Sequence, residues 1–174
     1  RQMCIRDRKY IGSSDLVDLN QTIENLGEIE NSNQLLISGI AQIKIATLLM
    51  ENGKIQESKD KLLEIINEDK TDDIITDLAI YFYLMSNLND MAMDEINIYI
   101  DSDKLENSSF KFLFKETIAI KNLLSGKIQI SKEKFDELIN DANTPRDIVI
   151  RATKFLDTIK SVSYTHLRAH ETEA

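Results

Sequence analysis

The sequence predicts an all-α fold: about three antiparallel helical hairpins stacked in a row, closed by a C-terminal capping helix. Three observations carry this. One proline, Pro145, and five glycines sit among abundant Leu, Ile, Lys, Glu and Asp, a helical composition. Apolar residues recur at helical spacing, as Leu62, Ile65, Ile66 and again as Phe135, Leu138, Ile139. A segment also occurs twice: "GKIQESKDKLLEIINE" from Gly53 to Glu68 returns as "GKIQISKEKFDELIND" from Gly126 to Asp141, identical at ten of sixteen positions and offset by 73 residues.

Helices are expected near 14–29, 33–51, 55–68, 72–86, 89–101, 108–124, 128–141 and 145–159. Asn52-Gly53 and Ser125-Gly126 read as left-handed helix stops, where glycine avoids a Cβ clash. Thr71-Asp72-Asp73 sets negative charge against the start of a helix. "SNLND", Ser86–Asp90, is the expected turn of a middle hairpin, with Asn87 and Asn89 as the residues that tolerate left-handed backbone. Thr144-Pro145-Arg146-Asp147 supplies a Thr cap, a proline at the first helical position and an acid close behind.

The ends read differently. "RQMCIRDR" at Arg1–Arg8 and "SVSYTHLRAHET" at Ser161–Thr172 translate opposite strands of a transposon-end adaptor used in sequencing libraries. Segments 1–8 and 161–174 therefore resemble adaptor-derived tails, to be left out of fold reasoning, and the expected domain is a single unit over 9–160. Cys4, His166 and His170 all fall in the tails. The remaining segment has no thiol or imidazole for a His-ligated metal, a Cys nucleophile or a Ser-His-Asp triad. Without Arg1, Arg6, Arg8, Arg168, Asp7, Glu171 and Glu173, 17 basic and 27 acidic side chains remain, a net charge of −10 against −9 for the whole chain. An acidic chain with scattered lysines argues against nucleic acid and anionic lipid as partners. The longest apolar run, "LAIYFYLM" at Leu78–Met85, is too short to span a membrane.

Two helices of about 15 residues and two turns make a unit of roughly 34, the tetratricopeptide period, and an offset of 73 is two such units with a few residues over. Expected repeats are 33–69, 72–102 and 108–141, with a capping helix over 145–160. Position matching agrees: small residues lie seven before and five after each turn glycine, Ala46 and Ser58 around Gly53, Ala119 and Ser131 around Gly126. Leu62 and Phe135 fill the bulky place nine after each glycine. Small residues let two helices cross closely.

From about Asn33 to Lys160 the chain resembles the tetratricopeptide-like domain of the ancillary SecYEG translocon subunit family, especially its alphaproteobacterial members. The resemblance lies in "AQIKIATLLMENGKIQESKDKLLEIINED", in "DLAIYFYLM" and in "NTPRDIVIRATKFLDTI", whose Thr144, Pro145, Ile148, Arg151, Ala152 and Leu156 match a terminal helix of the form T-P-x-x-I-x-x-R-A-x-x-x-L. It implies an upstream inner-membrane anchor, a periplasmic domain that binds proteins near the secretion channel, and no catalytic residues or cofactor.

Chemical motifs are weak by comparison. Gly126-Lys127 lacks the phosphate loop's first glycine, with Lys121 there, and its following Ser or Thr, with Ile128 there. "DSDKLE", Asp101–Glu106, has the first two acids of a calcium loop, but Glu106 and Phe112 occupy the places of its glycine and last acid. The pairs Asp72/Asp73 and Asp136/Glu137 read as solvent-face charges rather than acid–base machinery. In Tyr81-Phe82-Tyr83, Phe82 is expected in the core and one tyrosine at the surface.

The expected function is thus a non-enzymatic protein-interaction scaffold. Its partner is a protein or peptide (a translocon or periplasmic chaperone component), with no nucleic acid, and it meets the membrane only through the upstream anchor. Gln42, Leu49, Tyr81, Lys115 and Asn122 are the candidate groove residues, read as outward-facing on the first helices of the repeats. The alternatives are a structural self-association domain, a cytosolic tetratricopeptide adaptor, or an enzyme whose site lies upstream.

Overall fold

The computed structural model describes residues 19–30 and 35–171, with side chains to Ser161. The expected tail 1–8, the start of the helix expected from 14, and residues 172–174 lie outside the described residues. Every regular element among the described residues is α-helical. The elements are α1 over 19–30, then α2 Leu35–Glu51, α3 Ile55–Asn67, α4 Asp73–Asn87, α5 Met93–Tyr99, α6 Ser102–Asn107, α7 Lys111–Leu124, α8 Ile128–Asn140 and α9 Arg146–Glu171. The chain divides into two compact units, Arg1–Ser86 and Asn87–Ala174.

Each unit is built on one copy of the repeated hairpin, α2–α3 in the first and α7–α8 in the second. Both hairpins turn through the same Schellman motif. Gly53 and Gly126 adopt φ of 77° and 73°, where a Cβ would be strained. The Gly53 amide donates to Met50 O at 3.0 Å and the Lys54 amide to Leu49 O at 2.9 Å. Gly126 to Leu123 O and Lys127 to Asn122 O repeat those bonds at the same lengths, closing the helix-end carbonyls.

The helices then cross at their smallest residues. Ala46, Ser58, Ala119 and Ser131 are all fully buried. Ser58 Oγ donates to Ala46 O at 2.7 Å and Ser131 Oγ to Ala119 O at 2.9 Å. Serine at these places does more than fit: its hydroxyl ties one helix to the backbone of the other.

In the first unit, Ile43 and Ala46 of α2, Leu62 and Ile65 of α3, and Ile75 and Ala79 of α4 form one core. Phe82 and Tyr83 are half-buried against it, so Phe82 edges the core rather than filling it. Asp72 caps α4, its Oδ1 accepting from the Ile74 amide at 2.9 Å. Glu30, at the end of α1, is held by Lys61 of α3 and accepts at its carbonyl from Ser38 Oγ.

In the second unit, Ala119, Phe135 and Leu138 pack with Ile148, Ala152, Leu156 and Ile159 of α9, which therefore covers the hairpin as a cap does. The Phe135 and Phe155 rings stack at 5.0 Å between centroids. Each fully buried Leu, Ile or Phe contributes about 1.5–3 kcal/mol relative to exposure.

Four expectations need correcting. The helix expected over 89–101 is shorter, α5, and a second start follows it: Asp101 Oδ1 accepts from the Lys104 amide at 2.9 Å and caps α6. "DSD" is a helix cap, not a cation loop. No non-glycine residue among those described has positive φ, so neither Asn87 nor Asn89 supplies a left-handed turn. Instead the Asp90 and Met91 amides donate to Asn87 O, at 2.9 and 3.1 Å. Thr144 Oγ1 is buried without a hydrogen-bond partner and caps nothing, while the Ile148 and Val149 amides close on Pro145 O. Finally, α9 continues beyond Lys160 to Glu171 instead of stopping near 159.

Candidate functional site

The five candidate groove residues are divided between the two units. Gln42 and Tyr81 are half-buried in the first unit and Lys115 is half-buried in the second. Leu49 and Asn122, expected to face outward, are both buried, and the Asn122 amide donates to Ile118 O at 2.8 Å. The packing pattern of the first helices alone assigns them to an open face. They sit in matching places on α2 and α7, each with its carbonyl receiving the Schellman amide, on the buried side of the helix just before the exposed turn. Of α7, the residues Phe114, Glu116, Thr117, Ile118, Ala119, Lys121 and Asn122 are buried. That run covers most of the helix's circumference, so α7 has little outward face.

Lys115 does line a cleft. Between α6, α7 and α8 the second unit opens a space of about 370 Å³. Its floor is apolar, from Leu105, Phe112, Ile118 and Leu138, and its rim carries Lys115, Lys134, Glu137 and Asp141. Phe112, Lys115 and Ile118 recur every three residues on α7, and Lys134, Glu137 and Leu138 share a face of α8, which is why two helices suffice to build the wall. The Lys111 and Lys115 ammonium groups stand 5.4 and 5.6 Å from the Phe112 ring centroid, giving the aromatic floor a cationic edge. Among the described residues, neither Lys134 nor Glu137 has a side-chain hydrogen-bond or ion-pair partner. Asp141 Oδ1, by contrast, accepts from the Asn143 backbone and side-chain amides. An apolar floor beneath free charges of both signs can seat an apolar side chain while engaging polar groups beside it.

Two buried polar groups support this unit, and sequence reasoning missed them. Glu116 of α7, 4% exposed, accepts from Arg151 Nε at 2.8 Å and Nη2 at 2.7 Å, a bidentate pair between α7 and α9. Arg151 also donates to Asp147 at 2.9 Å. Hydrogen bonding to Glu116, set against desolvation and helped by Asp147, raises the guanidinium pKa above its ordinary value. The Arg151 hydrogen bond lowers the Asp147 pKa below 3.8. Lys121, also buried, donates from Nζ to Leu88 O at 2.9 Å and Asn89 O at 3.4 Å, closing the turn that no left-handed asparagine closes. The available signal was the repeat itself: Glu116 and Lys121 stand where the first copy has Ile43 and Leu48.

Among the described residues there is no group of three His, Cys, Asp or Glu side chains placed to hold a metal ion, and no helix long and apolar enough to cross a membrane. Compared with protein-family models, curated proteins and solved structures, the chain matches none.

Proposed function

We propose that this chain is a non-enzymatic protein-interaction scaffold of tetratricopeptide type, and that the α6–α7–α8 cleft holds a side chain of its partner. The observation that carries the reading is the cleft itself: the Leu105, Phe112, Ile118 and Leu138 floor beneath the uncompensated Lys134 and Glu137 charges. The recurring hairpin, with the same glycine turn and the same serine-to-alanine bond, supports the tetratricopeptide assignment. The partner is a translocon or periplasmic chaperone component, and the domain lies on the periplasmic side of the inner membrane behind an upstream anchor. That part rests on the resemblance of 33–160 to the ancillary translocon subunits.

A photo-crosslinking amino acid at position 115 of the full-length protein in cells tests this. Adducts with a secretion-channel subunit or envelope chaperone are expected at 115 and not at the exposed position 60 on α3. No such adduct at 115, or equal adducts at 60, refutes the reading.

One observation favours a second reading, self-association: Leu35, Leu36, Ile37 and Ile40 are all exposed on the first turns of α2. Light scattering separates the two, since a mass that stays monomeric at every concentration removes it.

A further inference from the structure

One wall lysine of the repeated hairpin is paired in the first copy and unpaired in the second. Offset by 73 residues, Lys61, Glu64 and Glu68 of the first hairpin become Lys134, Glu137 and Asp141 of the second. Lys61 holds Glu30, in the last turn of α1, as well as Glu64. The residue 73 after Glu30 is Asp103. Here the two copies part. The helix α1 runs unbroken over 19–30, whereas the matching stretch breaks between α5, which ends at Tyr99, and α6, which starts at Ser102. Asp103 is left exposed on α6, where its Oδ1 accepts from Asn107 Nδ2 at 2.6 Å. Lys134 is half-buried at the rim of the cleft, and among the described residues it has no hydrogen-bond or ion-pair partner.

We propose that the cleft takes an acidic residue of a helical partner segment, a Glu one turn from an apolar residue. Its carboxylate meets Lys134 and Lys115 while the apolar side chain lies on the Phe112 floor. The proposal rests on the cleft being the partner's seat and gives the chemistry of what sits there. The acids of the wall do not satisfy the lysine. The first copy carries the same pair, Glu64 and Glu68, and Lys61 still takes a carboxylate from another helix. In the second copy Glu137 makes no ion pair among the described residues, Asp141 is held by Asn143, and Glu133 is held by Gln129. The rim also gains a cation, since Lys115 stands where the first copy has Gln42. The order required of the occupant is the one in α1, where Leu26 and Glu30 lie four apart and are both half-buried. A half-buried ammonium gains more from a carboxylate than one in open water, because the local dielectric is lower.

The test is fluorescence anisotropy of a labelled peptide of residues 19–30, which carries Leu26 and Glu30 at that spacing, titrated with the full chain. The peptide is expected to bind, and its E30Q form to bind about fivefold more weakly or worse. K134Q in the full chain should lose as much. Its melting should stay at the wild-type value, because Lys134 pairs with nothing in the free chain. K115Q should lose less, and K127Q, the same charge change at the exposed turn, should lose nothing. The proposal is overturned if the peptide does not bind, if E30Q binds as the parent peptide does, or if K134Q binds as wild type does. It is also overturned if K127Q weakens binding as much as K134Q, since the effect is then one of overall charge. In cells, K134Q should reduce the cross-links at 115. Cross-links that persist unchanged in K134Q overturn the acidic occupant and leave the cleft as the partner's seat, whereas their absence from wild type removes the seat itself and the proposal with it.

Discussion

The hairpins depend on how closely their helices cross, and valine at the crossing serines measures it. In Ser58→Val or Ser131→Val a methyl replaces the hydroxyl that now lies 2.7 Å from Ala46 O or 2.9 Å from Ala119 O. Carbon-to-oxygen contacts settle at about 3.3–3.6 Å, so the helices must part by roughly half an ångström or more. The surroundings cannot absorb this, because Ala46, Leu62, Ala119 and Phe135 are fully buried around the two crossings. Overpacking of this kind costs about 1–3 kcal/mol, and the lost hydrogen bond adds about 1 kcal/mol. The valine variants should therefore lose about 2–4 kcal/mol. Alanine removes only the hydrogen bond, about 0.5–1.5 kcal/mol, since the accepting carbonyls keep their places in the helical ladders. Ser58→Val should be the worse valine variant, because its contact is shorter. Urea unfolding followed by far-UV circular dichroism gives both differences. A valine variant as stable as its alanine counterpart at either site would refute close crossing as the basis of the fold.

Other substitutions probe the remaining joints. Gly39→Ala places a Cβ 2.7 Å from Ile75 Cγ2 and 2.9 Å from Cγ1. It should destabilise the first unit by about 1–3 kcal/mol despite the better helix propensity of alanine, and Ile75→Ala should relieve it in a double-mutant cycle. Lys121→Met leaves Leu88 O and Asn89 O without their donor, at about 1–3 kcal/mol, and amide exchange over 90–93 should quicken while that at Gly126 does not. Arg151→Met strands the buried Glu116 carboxylate, at about 2–4 kcal/mol by thermal unfolding, and replacing the pair with Glu116→Leu and Arg151→Met should cost less than the single change. Burial pulls the Lys61 pKa down, but Glu30 and then Glu64 outweigh it and hold it above its ordinary 10.5. A raised lysine stabilises below its ordinary value and stops doing so as pH climbs through the folded value. The Tm gap between wild type and Lys61→Met should therefore hold up to about pH 10.5 and close above it.

Much of the hairpin was legible because its signals are stereochemical. A glycine where φ must be positive and small residues at fixed distances on either side leave few alternatives, and both turns and both crossings lie where Gly53 and Gly126 put them. What size could not reveal was the chemistry of the serines, since a hydroxyl that fits and a hydroxyl that bonds look alike in a sequence. The 89–101 segment misled because its apolar spacing continues through Ile96 and Ile100 while the backbone breaks after Tyr99 and restarts at the Asp101 cap. The groove was misplaced for a different reason. Periodicity within one helix says which residues share a face, but not how many faces are covered, and Asn122 is buried on a helix enclosed nearly all round. Thr144 shows that a cap signal gives residue type and position without guaranteeing the bond.

Setting α7 over α2 shows how one hairpin serves two surroundings. Ala46 and Ala119 coincide, as do Ile45 and Ile118, which keeps the crossing with the second helix the same. Around them the first copy is apolar, Ile43, Leu48 and Leu49, where the second has Glu116, Lys121 and Asn122. Apolar side chains of similar volume would be at least as stabilising, because desolvating a charge offsets most of what its partner returns. Yet each polar group is matched to one partner: Glu116 to Arg151 on α9, Lys121 to the carbonyls of 88 and 89, Asn122 to its own helix. Such bonds are directional where apolar contact is not, so they fix the register of α9 and the shape of the turn before α5. The cleft beside Lys115 depends on both constraints: α7 forms one of its walls, and the segment leading from that turn through α5 to α6 brings Leu105 to its floor. The shared residues make the hairpin, and the residues that differ decide what is built against it.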